Sequence, residues 1–113
     1  MHIQQTDRDG IIIVAPAGRI DSTTSPAVED ALRKSVDGGA RTIVVDLTNV
    51  DYISSAGLRV FLVLAKRMRD LQGRLVLCSL RGPVRQVFQL AGFLPLFQIE
   101  ASQDAALSAL THA

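Results

Sequence analysis

The spacing of apolar and polar positions changes period several times along the chain, and each change marks an element. Ile3 to Thr6 and Ile11 to Ala15 flank Arg8-Asp9-Gly10. A glycine after aspartate suits the positive backbone angles of a tight hairpin, so the first two strands are expected to run antiparallel. Ser25-Pro26 then supplies a cap followed by proline at the first helical position, and Val28, Ala31, Leu32 and Val36 recur on one face before Gly38-Gly39 stops the helix. Thr42 to Leu47 and Leu75 to Cys78 are short apolar runs without alternation, the pattern of strands covered on both faces. Between them a short polar turn leads into Ser54 and Ser55, which open a long amphipathic helix. Strand, helix and strand make a crossover that should be parallel and right-handed, and a second such unit precedes it. Pro83 opens a third helix through Val84, Val87, Phe88 and Ala91, Gly92 ends it, and Leu96 to Ile99 reads as a last short strand. Ser102 is placed to cap a final helix carrying Ala106, Leu107 and Leu110. No linker, repeat or low-complexity segment interrupts this order, which predicts one mixed-sheet α/β or α+β domain over residues 1–113.

The serine-initiated helix carries more apolar surface than one buried stripe requires. Leu58, Phe61, Leu62, Ala65, Met68 and Leu71 form the stripe expected to face the core, with Arg59, Lys66, Arg67, Arg69 and Asp70 toward solvent. Val60, Val63 and Leu64 are left over. They fit either a helix wedged between the sheet and neighbouring helices or a partly exposed docking patch beside the serines.

Composition narrows the function classes. Twelve Lys+Arg against eleven Asp+Glu leave a net charge of +1, which supplies no overall field for a nucleic-acid backbone or an anionic membrane. Cys78 is the only cysteine, so no internal disulfide is expected, and its place at the end of an apolar run suits an inert core thiol. Met1 to Arg8 lacks the basic start and apolar stretch of a signal peptide, so cytoplasmic residence is the expectation. The longest apolar run, Val60 to Ala65, falls far short of the ~20 residues that would span a bilayer, so no membrane insertion is expected.

Most catalytic constellations fail on spacing. In the frame of Ser55 the residue two before the serine is Ile53, where a hydrolase elbow needs glycine, and His2 and His112 stand near the ends. There is no phosphate-binding glycine loop, and His2, His112 and Cys78 lack metal-ligand spacing, so neither cofactor nor metal is expected. Asp21, Asp46 and Asp51 sit near predicted strand ends, where aspartates commonly form turns. A serine at a helix start retains two uses: it can cap the free backbone N–H groups, or it can carry a phosphate that those groups and the helix dipole stabilise.

Three motifs in order then resemble one family. Gly18-Arg19-Ile20-Asp21 after a strand, Tyr52-Ile53-Ser54-Ser55-Ala56-Gly57-Leu58 opening a helix, and Leu90-Ala91-Gly92-Phe93 after a third helix look like the STAS domain of anti-sigma factor antagonists. The resemblance covers nearly the whole chain. It implies a mixed sheet of about five strands with an N-terminal antiparallel hairpin, packed with about four helices. It also implies a non-enzymatic regulator that binds an anti-sigma factor, commonly a serine kinase of the GHKL ATPase type, and is phosphorylated by that kinase and reset by a serine phosphatase. The family pattern D-S-[ST]-G-L, aligned on Gly57-Leu58, makes Ser55 the phosphoacceptor and Ser54 its rival, because Ser54 stands in place of the aspartate and Ala56 in place of the second hydroxyl residue. Asp21, Ser54, Ser55, Ala56, Gly57, Leu58 and Arg59 are the implied partner-binding positions. Arg59, four residues after Ser55, is expected to reach back toward a phosphate there. The alternative within the same resemblance is an adaptor, either a stressosome-type scaffold or the accessory subunit of a lipid-trafficking ABC transporter, in which the serine is only a cap. An enzyme acting through Ser55 is a third class, and oligomeric state is open.

Overall fold

The computed structural model describes residues 1–111, and His112 lies outside the described residues. In chain order the elements are β1 (His2–Arg8), β2 (Ile11–Ile20), α1 (Ser25–Asp37), β3 (Thr42–Asp46), β4 (Val50–Ile53), α2 (Ser55–Asp70), β5 (Arg74–Cys78), α3 (Gly82–Leu90), a short 3-10 turn (Leu94–Leu96), β6 (Gln98–Glu100) and α4 (Gln103–Thr111). Asp9 and Gly10 both have positive φ, 55° and 87°, which closes the two-residue β1–β2 turn, and Arg8 pairs antiparallel with Ile11. The remaining pairings are parallel, in the order β1-β2-β3-β5-β6, with β4 joined to the far end of β2.

The sheet has six strands among the described residues, one more than the sequence suggests, and the addition is β4. Val50-Asp51-Tyr52-Ile53, expected as a turn, pairs with Gly18, Arg19 and Ile20. It can do so because β2 runs on past Ala15 to Ile20 instead of stopping. Pro16 and Gly18 look like strand terminators, yet Pro16 lies opposite Ile3 inside the hairpin, and Gly18 takes φ +103° where the register with β4 shifts. A side chain at Gly18 would strain that bend.

The absence of alternation in β3 and β5 is explained by helices on both faces. Ile43, Val45 and Leu77 belong to a large core with Leu32 and Val36 of α1, Phe61, Leu64 and Met68 of α2, and Val84 and Phe88 of α3. Val44, Val76 and Cys78 point the other way and meet Ala106 of α4. Within α2, Val60 and Leu64 are buried and complete the seam with α1, as a wedged helix requires, while Val63 remains 52% exposed. The stripe shifts accordingly: Leu62 and Ala65 are half-buried and Leu71 is exposed.

The helix starts also differ by a residue or two from expectation. Ser25 lies inside α1 and Thr24 is its cap position; the Thr24 hydroxyl donates to the Arg19 carbonyl at 2.7 Å, and the Asp21 carbonyl accepts the Ser25 N–H at 2.8 Å. The last strand begins at Gln98, after Leu94-Pro95-Leu96 close a 3-10 turn. Ser102 does cap α4, its Oγ accepting the Ala105 N–H at 3.0 Å.

Candidate functional site

Because β2 pairs parallel with both β3 and β4, and β3 with β5, helices α1 and α2 that follow β2 and β4 pack side by side with their N-termini at the same end, where β2 and β4 finish. In open α/β sheets ligands bind beyond the carboxyl ends of the strands. The serine pair sits at that end. Ser54 N–H donates to the Ile20 carbonyl at 2.8 Å, fastening the chain after β4 to the last residue of β2.

The structure gives the two serines different work. Ser54 has extended backbone angles, φ −94° and ψ 175°, and its Oγ accepts the Gly57 N–H at 3.4 Å, so it is the N-cap of α2. Ser55 is the first helical residue and exposed, and its hydroxyl takes part in no side-chain hydrogen bond among the described residues. It is presented at the positive end of a 16-residue helix.

Of the remaining positions in the run, Ala56 is half-buried, Gly57 and Leu58 are buried, and Arg59 is exposed. The outward surface is therefore Ser55 and Arg59, while Gly57 and Leu58 seat the helix. A Cβ on Gly57 would come within 2.7 Å of both Ile20 Cγ2 and Ile53 Cγ1, so the first turn of α2 can rest against the ends of β2 and β4 only as glycine. Ser55, Ala56, Arg59 and Val60 share an open groove with Ser25, Pro26 and Glu29 of α1. Glu29 and Ser25 are absent from the motif reading, although their spacing on α1 repeats that of Arg59 and Ser55 on α2.

Asp21 belongs to a neighbouring cluster. Its carboxylate accepts from the Thr23 hydroxyl at 2.7 Å, the Thr23 N–H at 3.0 Å and the Thr24 N–H at 3.2 Å, and it lies 3.9 Å from Arg19 Nε. The Thr23 hydrogen bonds hold this carboxyl below the usual carboxylate range. Arg19 stacks on Tyr52, 4.2 Å from the ring centroid. Asp21 thus builds the turn into α1, and no bond joins it to Ser55.

Among the described residues, no group of three or more His, Cys, Asp or Glu side chains is placed to hold a metal ion, and no helix is long and apolar enough to cross a membrane. The site offers an exposed hydroxyl, an exposed cation and a carboxylate, with no ion pair to the latter two among the described residues.

The family model for the STAS domain matches residues 2–106. BtrV of Bordetella bronchiseptica, whose name marks it as a candidate anti-sigma factor antagonist, is 46% identical over 89% of this chain and 87% of its own. The anti-sigma-B factor antagonist of Listeria monocytogenes is 34% identical over 88% of this chain and 87% of that protein. Among solved structures, an anti-sigma factor antagonist from Mycobacterium paratuberculosis superposes with a TM-score of 0.89 at 26% identity, covering 97% of this chain and 93% of that one. With its six-stranded mixed sheet, its N-terminal hairpin and its four helices among the described residues, the chain belongs to the STAS domain family, in the group of the anti-sigma factor antagonists.

Proposed function

We propose that this protein is an anti-sigma factor antagonist that binds its anti-sigma factor through the surface around Ser55 and is switched off by phosphorylation there. The observation that carries the reading is the division between the serines: Ser54 is committed to the helix cap, and Ser55 is exposed with its hydroxyl unbonded among the described residues. The names of the Bordetella and Listeria relatives supply the partner class. The partner is a GHKL-type serine kinase that moves the γ-phosphoryl of ATP onto Ser55 Oγ, releasing ADP and the hydroxyl proton. A serine phosphatase restores the hydroxyl by hydrolysis. Arg59 and Ser55 make the contact, with Ser54, Ala56, Gly57 and Leu58 holding its shape and Asp21 fixing the adjacent turn. The protein works by binding and not by turnover, in the cytoplasm where such a kinase acts.

The switch needs no change of shape. Phosphate adds about −1.5 to −2 charges at neutral pH, at a helix end that favours them. A partner covering the turn must instead desolvate a dianion, which weakens binding by roughly a few kcal/mol unless a cation waits opposite.

The test combines mass spectrometry of the natively expressed protein with titration calorimetry against the kinase. Phosphate on Ser55, together with affinity lost at least tenfold in Ser55→Asp and a melting temperature within about 2 °C of the wild type, is the expected result. Phosphate confined to Ser54, or a Ser55→Asp variant that binds as the wild type does, overturns it.

A further inference from the structure

The groove beside Ser55 is lined from both sides by charge that no ion pair among the described residues uses. Arg59 lies one helical turn after Ser55 on α2, so the two side chains share a face. Glu29 lies across the groove on α1. The ion pairs of this surface are elsewhere: Arg33 and Lys34 with Asp30, Arg67 with Asp37, and Arg19 with Asp21. Arg59 and Glu29 take part in none of them. An exposed arginine without a partner costs little to reorient, and its planar fork fits phosphate oxygens.

We propose that Arg59 is the internal receiver of the Ser55 phosphate, drawn onto it once it is attached, with Glu29 opposing that capture from α1. The proposal rests on Ser55 as the acceptor. One modification then alters two features of the surface: an anion appears, and the cation one turn away on the same groove is withdrawn from whatever anionic group a partner would have set against it. Glu29 carries the same sign as the phosphate and biases it toward the α2 side of the groove. Asp21 and Arg19, the other charged pair at this end of the sheet, are engaged with each other and with the Thr23–Thr24 turn, and so are not competitors.

The experiment installs phosphoserine at position 55 during translation, so no kinase is required, and follows the phosphate by phosphorus NMR from pH 4 to pH 9. A free phosphoserine releases its second proton near pH 6, and a nearby cation lowers that value. Arg59→Ala should raise the apparent pKa of the phosphate by about half a pH unit relative to the parent, a size set by an exposed pair. Arg59→Lys should restore part of the difference, and Glu29→Gln should move the value below the parent. Arg33→Ala, which removes a cation already paired with Asp30, serves as the control for a loss of general charge. If Arg59→Ala titrates like the parent or like Arg33→Ala, Arg59 is not the receiver. Because the phosphate is placed synthetically, this outcome is independent of whether the cell modifies Ser55: mass spectrometry of the native protein decides that question separately.

Discussion

Two adjacent serines with one chemistry acquire different fates from a single step in backbone angle. Ser54 is extended and its oxygen caps the first turn of α2, whereas Ser55 is helical and exposed. Ser54→Ala should therefore destabilise the fold by about 0.5–1 kcal/mol, the lower part of the range for a lost N-cap because the capping bond is long, and Ser55→Ala should be close to neutral. Chemical denaturation of the two variants side by side checks this. A reversed order would move the cap to Ser55 and leave Ser54 as the free hydroxyl. The family pattern favours Ser55 as acceptor with Ser54 as its rival, but it leaves open which of them caps the helix, since hydroxyl residues at consecutive positions are equally good caps until the dihedrals are known. The same ambiguity explains α1, where Ser25-Pro26 reads as cap and first turn while Thr24 takes the cap position without a side-chain cap bond and the Asp21 carbonyl accepts the Ser25 N–H.

At the scale of elements, hydrophobic period anticipates every helix and five of the six strands among the described residues, and it fails where the chain breaks a local rule. β4 was hidden because Asp51 and Tyr52 are exposed and the segment is only four residues long; its pairing depends on β2 continuing through Pro16 and Gly18. No local signal announces that continuation. Val60 and Leu64 read as surplus because a single-stripe count does not anticipate a second contact with α1, and only Val63 stays outside. Gly57 illustrates a motif residue whose reason is packing. Replacing it with alanine adds helix propensity of about 1 kcal/mol, but the new methyl meets the fully buried Ile20 and Ile53, and overpacking costs about 1–3 kcal/mol. The net expectation is a loss of about 1 kcal/mol, read as a lowered denaturation midpoint, together with a shift of the α2 start that weakens any binding at Ser55. Stabilisation by Gly57→Ala would show that the first turn has room to move.

The whole molecule is held by a sheet whose central strands β3 and β5 are covered on both faces, with Phe61 and Phe88 among its largest fully buried side chains. Phe61→Ala should cost about 3–5 kcal/mol, which is most of the stability of a domain with a margin near the low end of about 5–15 kcal/mol, and calorimetry should show a melting transition lowered by ten degrees or more. Cys78 is sealed in the smaller core beside Asp46, and burial pushes its thiol up to about 11. The folded protein holds this proton where the unfolded chain releases it, so stability should fall as pH rises from about 9 to 11. A thiol-specific reagent at neutral pH should label the protein only after denaturant is added, and rapid labelling of the native form would contradict the sealed position. The hydrogen bond from Ser54 N–H to the Ile20 carbonyl has a wider consequence. It locks the hydroxyl-bearing segment to the scaffold, so an enzyme acting there has to read a three-dimensional contour assembled from sequence-distant parts. A synthetic peptide copying Val50 to Lys66 should accordingly be a poor substrate beside the intact protein, and equal rates of radiolabel transfer to both would mean that linear sequence suffices.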